Sequence, residues 1–192
     1  MSFRETAKFQ QGHTAELRIA RMLQARGWWV VPSYDYSGED GNKAPRLQGA
    51  TQAFVLPDLD VARDGIRRWA EVKSKSSATL TRKLGRYEHG IPLRHFRSYQ
   101  EVQRITGAET WLFIYELDSH AVLWARVDDL AKHCRIYEGD KMGGGPMVFF
   151  PRDSFAASTE AAWEWHPTAA MPIATQPPII PVQISLWAAE TS

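Results

Sequence analysis

Residues 57–73, with the sequence PDLDVARDGIRRWAEVK, carry the strongest local structural signal in the chain. Asp64-Gly65 is typical of a two-residue hairpin turn, because both central positions of a type I′ turn require positive φ. With that turn, Asp58 is predicted to lie directly opposite Glu71, and opposed residues of an antiparallel pair share one face of the sheet. Lys73 follows Glu71 by two residues and therefore lies on the same face. The hairpin thus gathers two carboxylates and one ammonium group around one point.

Two carboxylates in such an arrangement repel each other unless a cation lies between them. A divalent ion such as Mg²⁺ or Mn²⁺ would relieve the repulsion, because it binds one or two carboxylates together with water and phosphate oxygens. Asp60 lies on the same face and is a further candidate ligand. An alternative is a solvated strand face that carries an ion pair. However, apolar residues occur on both faces of the hairpin, which indicates a buried central position where charges need partners.

Pro57-Asp58 followed by Glu71-Val72-Lys73 resembles the signature of the PD-(D/E)XK nuclease superfamily, which includes restriction endonucleases and archaeal Holliday-junction resolvases. The order of elements resembles that superfamily over roughly residues 10–130, including a helical glutamate, Glu16, before the first strand. The resemblance implies an α/β fold, in which a mixed central β-sheet is flanked by α-helices. It also implies a Mg²⁺-dependent DNA nuclease acting in replication, repair or recombination, or in the processing of phage or mobile elements.

The resemblance assigns a role to each residue of the signature. Asp58 and Glu71 would ligate the metal, and the backbone carbonyl of Val72 would complete the protein ligands. Lys73 would orient the attacking water or offset the charge that develops on the phosphorus centre. Glu16 would hold a second metal or position the water, although it could instead be a boundary carboxylate paired with an arginine. The choice between one metal and two stays open.

Residues 63–97 are locally basic, with ten Lys or Arg and three Asp or Glu, although the whole chain has a formal net charge of +1. Serines and threonines follow Lys73 and can donate hydrogen bonds to phosphate oxygens. A cationic stripe beside a metal site favours contacts with a nucleic-acid backbone, and the alternative is a solvated basic loop. The candidate DNA-binding residues are Lys75, Ser76, Arg82, Lys83, Arg86, Tyr99 and Gln100.

The composition is that of one globular domain, predicted over residues 1–166 of the 192-residue chain. A single cysteine, Cys134, excludes a disulfide framework and favours a reducing compartment. The sequence shows neither a signal-peptide core nor an apolar run long enough for a membrane span. We therefore expect a cytoplasmic, nucleoid-associated protein without a membrane partner.

Several elements are predicted outside the hairpin. Residues 37–52 are polar and are predicted to be a long loop. Helices are predicted over residues 94–106, 128–134 and 154–165, and strands over residues 28–31, 109–115, 121–127 and 147–150.

Residues 167–192 contain repeated prolines and are predicted to be an extended, flexible tail. Its sequence Gln183-Ile184-Ser185-Leu186-Trp187 resembles the bacterial sliding-clamp-binding motif. In that motif the leucine and the aromatic residue, here Leu186 and Trp187, fill an apolar pocket while Gln183 fixes the register. The alternative is a tail that folds back and buries Leu186 and Trp187 on its own domain.

Taken together, these features predict a metal-dependent DNA nuclease recruited by a sliding clamp. The alternative is a non-catalytic DNA-binding or clamp-adaptor module with the same fold. An RNA-directed nuclease also stays open, because no feature reads a 2′-hydroxyl. Dimerisation is plausible, since duplex cleavage by this fold often uses two active sites.

Overall fold

The computed structural model describes residues 7–33, 45–139 and 145–159. The central hairpin consists of β4 (Leu59–Arg63) and β5 (Ile66–Lys75), with Arg63 opposite Ile66 and Leu59 opposite Ala70. Asp64 and Gly65 have φ angles of 52° and 77°, so both turn residues adopt the positive φ that the predicted turn requires. The turn and the register are therefore confirmed, and counting outward places Asp58 opposite Glu71.

A six-stranded mixed sheet surrounds this hairpin, in the order β1-β4-β5-β8-β9-β12. Neighbouring strands are antiparallel except for β5 and β8, which are parallel and are joined through a helix that crosses one face of the sheet. The remaining strands of this sheet are β1 (Trp29–Pro32), β8 (Glu109–Glu116), β9 (Ala121–Arg126) and β12 (Ala156–Thr159).

Helices cover both faces of the central sheet. Helix α1 (Ala7–Ala25) buries Ile19 and Leu23 in one apolar cluster with the inner residues of β4, β5 and β8. Helix α2 (Leu93–Thr106) and α3 (Val127–His133) contribute to a second cluster with the other face of β8 and β9. The predicted α/β architecture, a mixed central sheet flanked by helices, is therefore confirmed.

Two smaller sheets complete the described part of the chain. A four-stranded antiparallel sheet has the order β10-β11-β7-β6, and a two-stranded sheet pairs β2 with β3. These strands are β2 (Arg46–Gln48), β3 (Ala53–Val55), β6 (Thr79–Thr81), β7 (Arg86–Pro92), β10 (Arg135–Tyr137) and β11 (Met147–Pro151).

Two of the predicted elements differ from the structure. The predicted loop over residues 37–52 contains β2, which pairs with β3. The predicted last helix over residues 154–165 is wrong over its described part, where Ala156–Thr159 is a strand paired with β9. That strand depends on a partner distant in sequence, which local periodicity does not reveal.

Residues 160–192 lie outside the described residues, and the predicted clamp-binding motif, residues 183–187, lies there with them. No helix within residues 7–33, 45–139 and 145–159 combines the length and the apolar character needed to cross a bilayer.

Candidate active site

Asp58 is fixed at the point where β4 begins. Its carbonyl accepts a hydrogen bond of 2.8 Å from the amide of Ser33, which extends the pairing of β1 with β4 by one residue. The Asp58 side chain crosses to β5, where its Oδ2 accepts a hydrogen bond of 2.8 Å from the amide of Val72. Asp58 is 6 % exposed, so the backbone of the neighbouring strand holds its carboxylate in a buried position.

Glu71 is the second buried carboxylate, with 2 % of its surface exposed. Its Oε1 accepts hydrogen bonds from the Lys73 ammonium group on the same strand and from the Tyr99 hydroxyl on α2. Strand alternation brings Lys73 to the face of Glu71, and α2 covers that face. Tyr99 is itself fully buried and therefore locks the Glu71 carboxylate against the sheet.

Neighbouring carboxylates stabilise the protonated form of Lys73. Burial lowers the pKa of Lys73, but the negative charges of Glu71 and Asp58, the hydrogen bond to Glu71 and the charge of Glu16 outweigh it. The net result is a pKa above the ordinary value for lysine. Lys73 therefore stays protonated at neutral pH and acts as a fixed cation rather than as a base.

Two further residues lie around this lysine. Glu16 on α1 is close enough for its charge to raise the pKa of Lys73, and its Oε2 lies 3.8 Å from Nδ1 of His13. His95 on α2 packs edge-on against the Tyr99 ring, with 6.4 Å between centroids. The pKa of His95 is lowered by burial and by the charges of Lys73 and Arg94, so its imidazole is neutral at pH 7.

Asp60 lies on the predicted face but has a different partner. Its carboxylate accepts hydrogen bonds of 2.7–3.2 Å from Arg67 on β5, and the pair raises the pKa of Arg67. Arg67 is long enough to reach diagonally across the hairpin, so Asp60 forms an ion pair with it at the sheet surface. It does not bring Asp60 into the group formed by Glu71, Lys73 and Tyr99.

The residues present fit a hard divalent ion with few protein ligands. Within the described residues, no three His, Cys, Asp or Glu side chains form a group that could hold a metal ion. Asp58 and Glu71, however, are two buried carboxylates at opposed positions of one hairpin. Mg²⁺ is usually held by one or two carboxylates while water and substrate phosphate complete the octahedron, and this pair supplies that donor set. The amide of Val72 places its backbone directly beside Asp58.

The candidate DNA-binding residues divide into two groups. Ser76, Arg82 and Lys83 are exposed, the last two in a single 3₁₀ turn between β6 and β7. Lys75 is half-buried at the end of β5, and burial followed by the charge of Lys73 lowers its pKa. Gln100 is half-buried on α2.

The other two candidates donate hydrogen bonds to buried carboxylates. Arg86 donates hydrogen bonds of 2.9 and 3.0 Å to the buried carboxylate of Glu88. Tyr99 is 1 % exposed and donates to Glu71. Tyr99 is committed to an internal carboxylate, so the expectation that it contacts DNA is corrected, whereas the Arg86 side chain is 41 % exposed and stays a predicted DNA contact. The sequence indicated only that Tyr99 lies on a helix that follows the signature strand. Its burial shows that its hydroxyl binds the Glu71 carboxylate rather than a surface ligand.

No protein-family model matches the chain, and no curated protein matches it. Among solved structures, the chain is similar to Hjc, a Holliday junction resolvase from Archaeoglobus fulgidus, with 14 % identity and a TM-score of 0.46 over 75 % of this chain and 91 % of that one. It is also similar to a nuclease from a fusselovirus, with 10 % identity and a TM-score of 0.47 over 84 % of this chain and 93 % of that one.

Proposed function

We propose that this chain is a divalent-metal-dependent nuclease that hydrolyses phosphodiester bonds in DNA. The observation that supports the proposal best is the pair of buried carboxylates, Asp58 and Glu71, beside a lysine that is held protonated. Burial of two like charges at opposed positions is costly and is typical of a site that binds a cation. The basic stretch that follows Lys73 favours a polyanionic substrate.

In this proposal each residue has a separate task. A bound Mg²⁺ would polarise the scissile phosphate and lower the pKa of a coordinated water. Asp58 and Glu71 would hold the ion, since the Val72 amide and the Tyr99 hydroxyl fix one oxygen of each carboxylate. Lys73 would place its positive charge next to the reacting phosphate and stabilise the negative charge that develops there.

The surrounding residues would bind and orient the DNA. Lys75 continues β5 beyond Lys73, and Ser76, Arg82 and Lys83 would contact backbone phosphates. Glu16 would orient water or a second ion from α1, because its charge already acts on Lys73.

The test is a cleavage assay on labelled linear duplex, single-stranded, flap and four-way-junction DNA, each with Mg²⁺, Mn²⁺ or EDTA. We expect metal-dependent cleavage that is lost in Asp58→Ala and reduced by about 10²–10³-fold in Lys73→Ala. Arg104→Gln, which breaks only an exposed ion pair on α2, serves as the control and should cleave normally. DNA binding without cleavage under every metal would instead favour the non-catalytic DNA-binding or clamp-adaptor module.

We also propose recruitment to a bacterial sliding clamp, which rests on the sequence Gln183-Ile184-Ser185-Leu186-Trp187 alone. The full chain should bind a purified clamp in a pull-down or by calorimetry, and a double substitution Leu186→Ala and Trp187→Ala should abolish binding because it removes the two apolar anchors. Equal binding of both proteins would overturn this part of the proposal without affecting cleavage.

A further inference from the structure

A cavity of about 280 Å³ lies beside the C-terminal half of α1. Its apolar floor includes Val61, Ala70 and Phe113, which belong to the cluster that α1 covers. Ala70 and Glu71 are consecutive in β5, so their side chains leave the sheet on opposite faces. The cavity therefore lies across the sheet from the carboxylate site.

Apart from its apolar floor, this cavity is lined mainly by tryptophans and arginines. The described residues that line it include no aspartate and no glutamate. They include the tryptophans Trp28, Trp111 and Trp124 and the arginines Arg26, Arg63 and Arg68.

Four of these side chains form a connected series, which we call the Arg–Trp cluster: Arg63, Trp28, Arg68 and Trp111. The Arg63 guanidinium lies 4.7 Å from the Trp28 ring centroid, and the Arg68 guanidinium lies 5.1 Å from Trp28 and 5.2 Å from Trp111. These are cation–π distances, and the contacts restrict the rotamers of all four side chains. A flat ligand that enters the cavity therefore meets planar groups that are already ordered.

Two arginines of the cavity, Arg68 and Arg63, have acidic partners of different strength. Glu109 pairs with Arg68 at 3.0 Å, and it also pairs with Arg126 at 3.0 Å. Arg63 faces the carboxylate of Asp64 at 3.5 Å, but that side chain is 85 % exposed and the pair is screened by water. The Arg63 side chain is 43 % exposed, and its guanidinium, which donates a hydrogen bond of 2.9 Å to the carbonyl of Arg26, is accessible to an anion from solvent.

We propose that this cavity binds a nucleotide, whose base stacks against the tryptophan and arginine planes while Arg26 and Arg63 hold its phosphate. Stacking on aromatic and guanidinium planes next to cationic side chains is the usual way in which proteins bind unpaired bases. Among the described residues that line the cavity, none is acidic, so none of them repels the phosphate. The nucleotide comes either from an unpaired stretch of DNA or from a free mononucleotide. The site goes beyond the proposed function and needs no hydrolysis.

The test is calorimetry on the full chain in EDTA, with a thymidine octamer, an octamer of abasic sites and dTMP as probes. We expect the thymidine octamer to bind at least about tenfold more tightly than the abasic octamer, because base stacking supplies the difference. Tight binding of dTMP as well would identify a free nucleotide as sufficient, whereas binding of the octamer alone would identify the DNA strand. Equal binding of both octamers would overturn the proposal.

Variants make the test specific to the cavity. Arg63→Gln should weaken binding of the thymidine octamer about tenfold, whereas the exposed control Arg104→Gln should bind the octamer as tightly as the parent protein does. Trp124→Phe keeps an aromatic plane and should retain binding, while Trp124→Leu keeps the apolar bulk and should reduce binding to the abasic level. Equal effects of the two Trp124 variants would overturn base stacking.

Failure of this site and failure of the nuclease proposal are distinguishable. The octamer should bind Asp58→Ala as tightly as the parent chain in EDTA, because the two sites lie on opposite faces of the sheet. Octamer binding without DNA cleavage would support this nucleotide site and overturn the nuclease proposal. DNA cleavage without octamer binding would support the nuclease proposal and overturn this site.

Discussion

Within residues 7–33, 45–139 and 145–159, buried carboxylates occur in two regions, and their partners differ. In β7 and at the end of β8, Glu88 and Glu116 are held by arginines: Arg135 and Arg86 bind Glu88, and Arg152 binds Glu116. Near the start of β4 and in the middle of β5, the buried pair is Asp58 and Glu71, and the cation that contacts Glu71 is the single lysine Lys73.

Whether a buried carboxylate is bound by arginine or by lysine indicates what it can do. An arginine fork forms two parallel hydrogen bonds with a carboxylate and satisfies both of its oxygens, as Arg152 does for Glu116 at 2.9 and 2.8 Å. An ammonium group is a point charge that binds one oxygen and is easily rearranged. We therefore propose that the arginine-bound carboxylates stabilise the fold, whereas Asp58 and Glu71 hold a metal ion.

The largest expected effect on stability comes from the arginine-bound region. Glu88→Ala should lower the free energy of unfolding by about 3 kcal/mol, because it leaves Arg86 and Arg135 without their buried counter-ion. Urea unfolding measures the loss, and the specific activity of the remaining folded protein should be unchanged. The exposed Glu101→Gln, which breaks the ion pair with Arg104, is the control and should change stability by less than about 0.5 kcal/mol.

The second expected effect is that low pH lowers the free energy of unfolding through the same two carboxylates, Glu88 and Glu116. The pKa of Glu88 is lowered to about 2, since its hydrogen bonds from Arg135, Thr81 and Arg86 outweigh the burial that raises it. The pKa of Glu116 is likewise lowered to about 2, mainly by Arg152.

Both pKa values lie below those of the unfolded chain, so their stabilisation is complete above about pH 4.5 and is lost as the pH falls toward 2. Each group contributes on the order of 3 kcal/mol to this loss. Urea unfolding at pH 7, 4.5 and 3 tests the window, and Glu88→Gln should flatten the profile. A stability that is constant between pH 4.5 and 3 would contradict the assignment.

A smaller effect is expected where α2 meets the carboxylate pair. Tyr99→Phe removes the hydroxyl that donates to Glu71 and should cost about 1–2 kcal/mol. It should also slow cleavage about tenfold, because Glu71 loses the contact that orients it. Tyr87→Phe, on an exposed tyrosine of β7, is the matched control for unfolding and kinetics. Full activity in Tyr99→Phe would show that the hydroxyl does not position Glu71.

The smallest effect is expected at Asp60. Asp60→Asn breaks the ion pair with Arg67 at the sheet surface and should change stability by no more than about 1 kcal/mol. Metal-dependent cleavage should be unchanged. Loss of cleavage would instead make Asp60 a ligand and would merge it with the Asp58 and Glu71 site.

Local chemistry explains which parts of this fold the sequence could predict. Asp64-Gly65 sets the hairpin turn within two residues, and the turn sets the register that places Asp58 opposite Glu71. Lys73 then follows from strand alternation alone. The core of the candidate site was therefore predictable, because every step spans fewer than about twenty residues of chain.

Long-range partners explain what the sequence could not reveal. Arg135 lies 47 residues from Glu88, and Arg152 lies 36 residues from Glu116, so neither pair leaves a local pattern. Residues 156–159 carry small and polar side chains that fit a helix as well as an edge strand, and pairing with β9 decides for the strand. The Arg–Trp cluster likewise joins Trp28, which directly precedes β1, to residues from β4, β5 and β8.

The most direct test of the central claim is Mn²⁺ binding, measured by electron paramagnetic resonance on the full chain without DNA. The parent protein should bind Mn²⁺, Asp58→Asn should lose that binding, and Glu116→Gln, which alters an equally buried but arginine-bound carboxylate, should keep it. Absence of binding in the parent protein, or equal binding in Asp58→Asn, would contradict the assignment of Asp58 and Glu71 as a metal site.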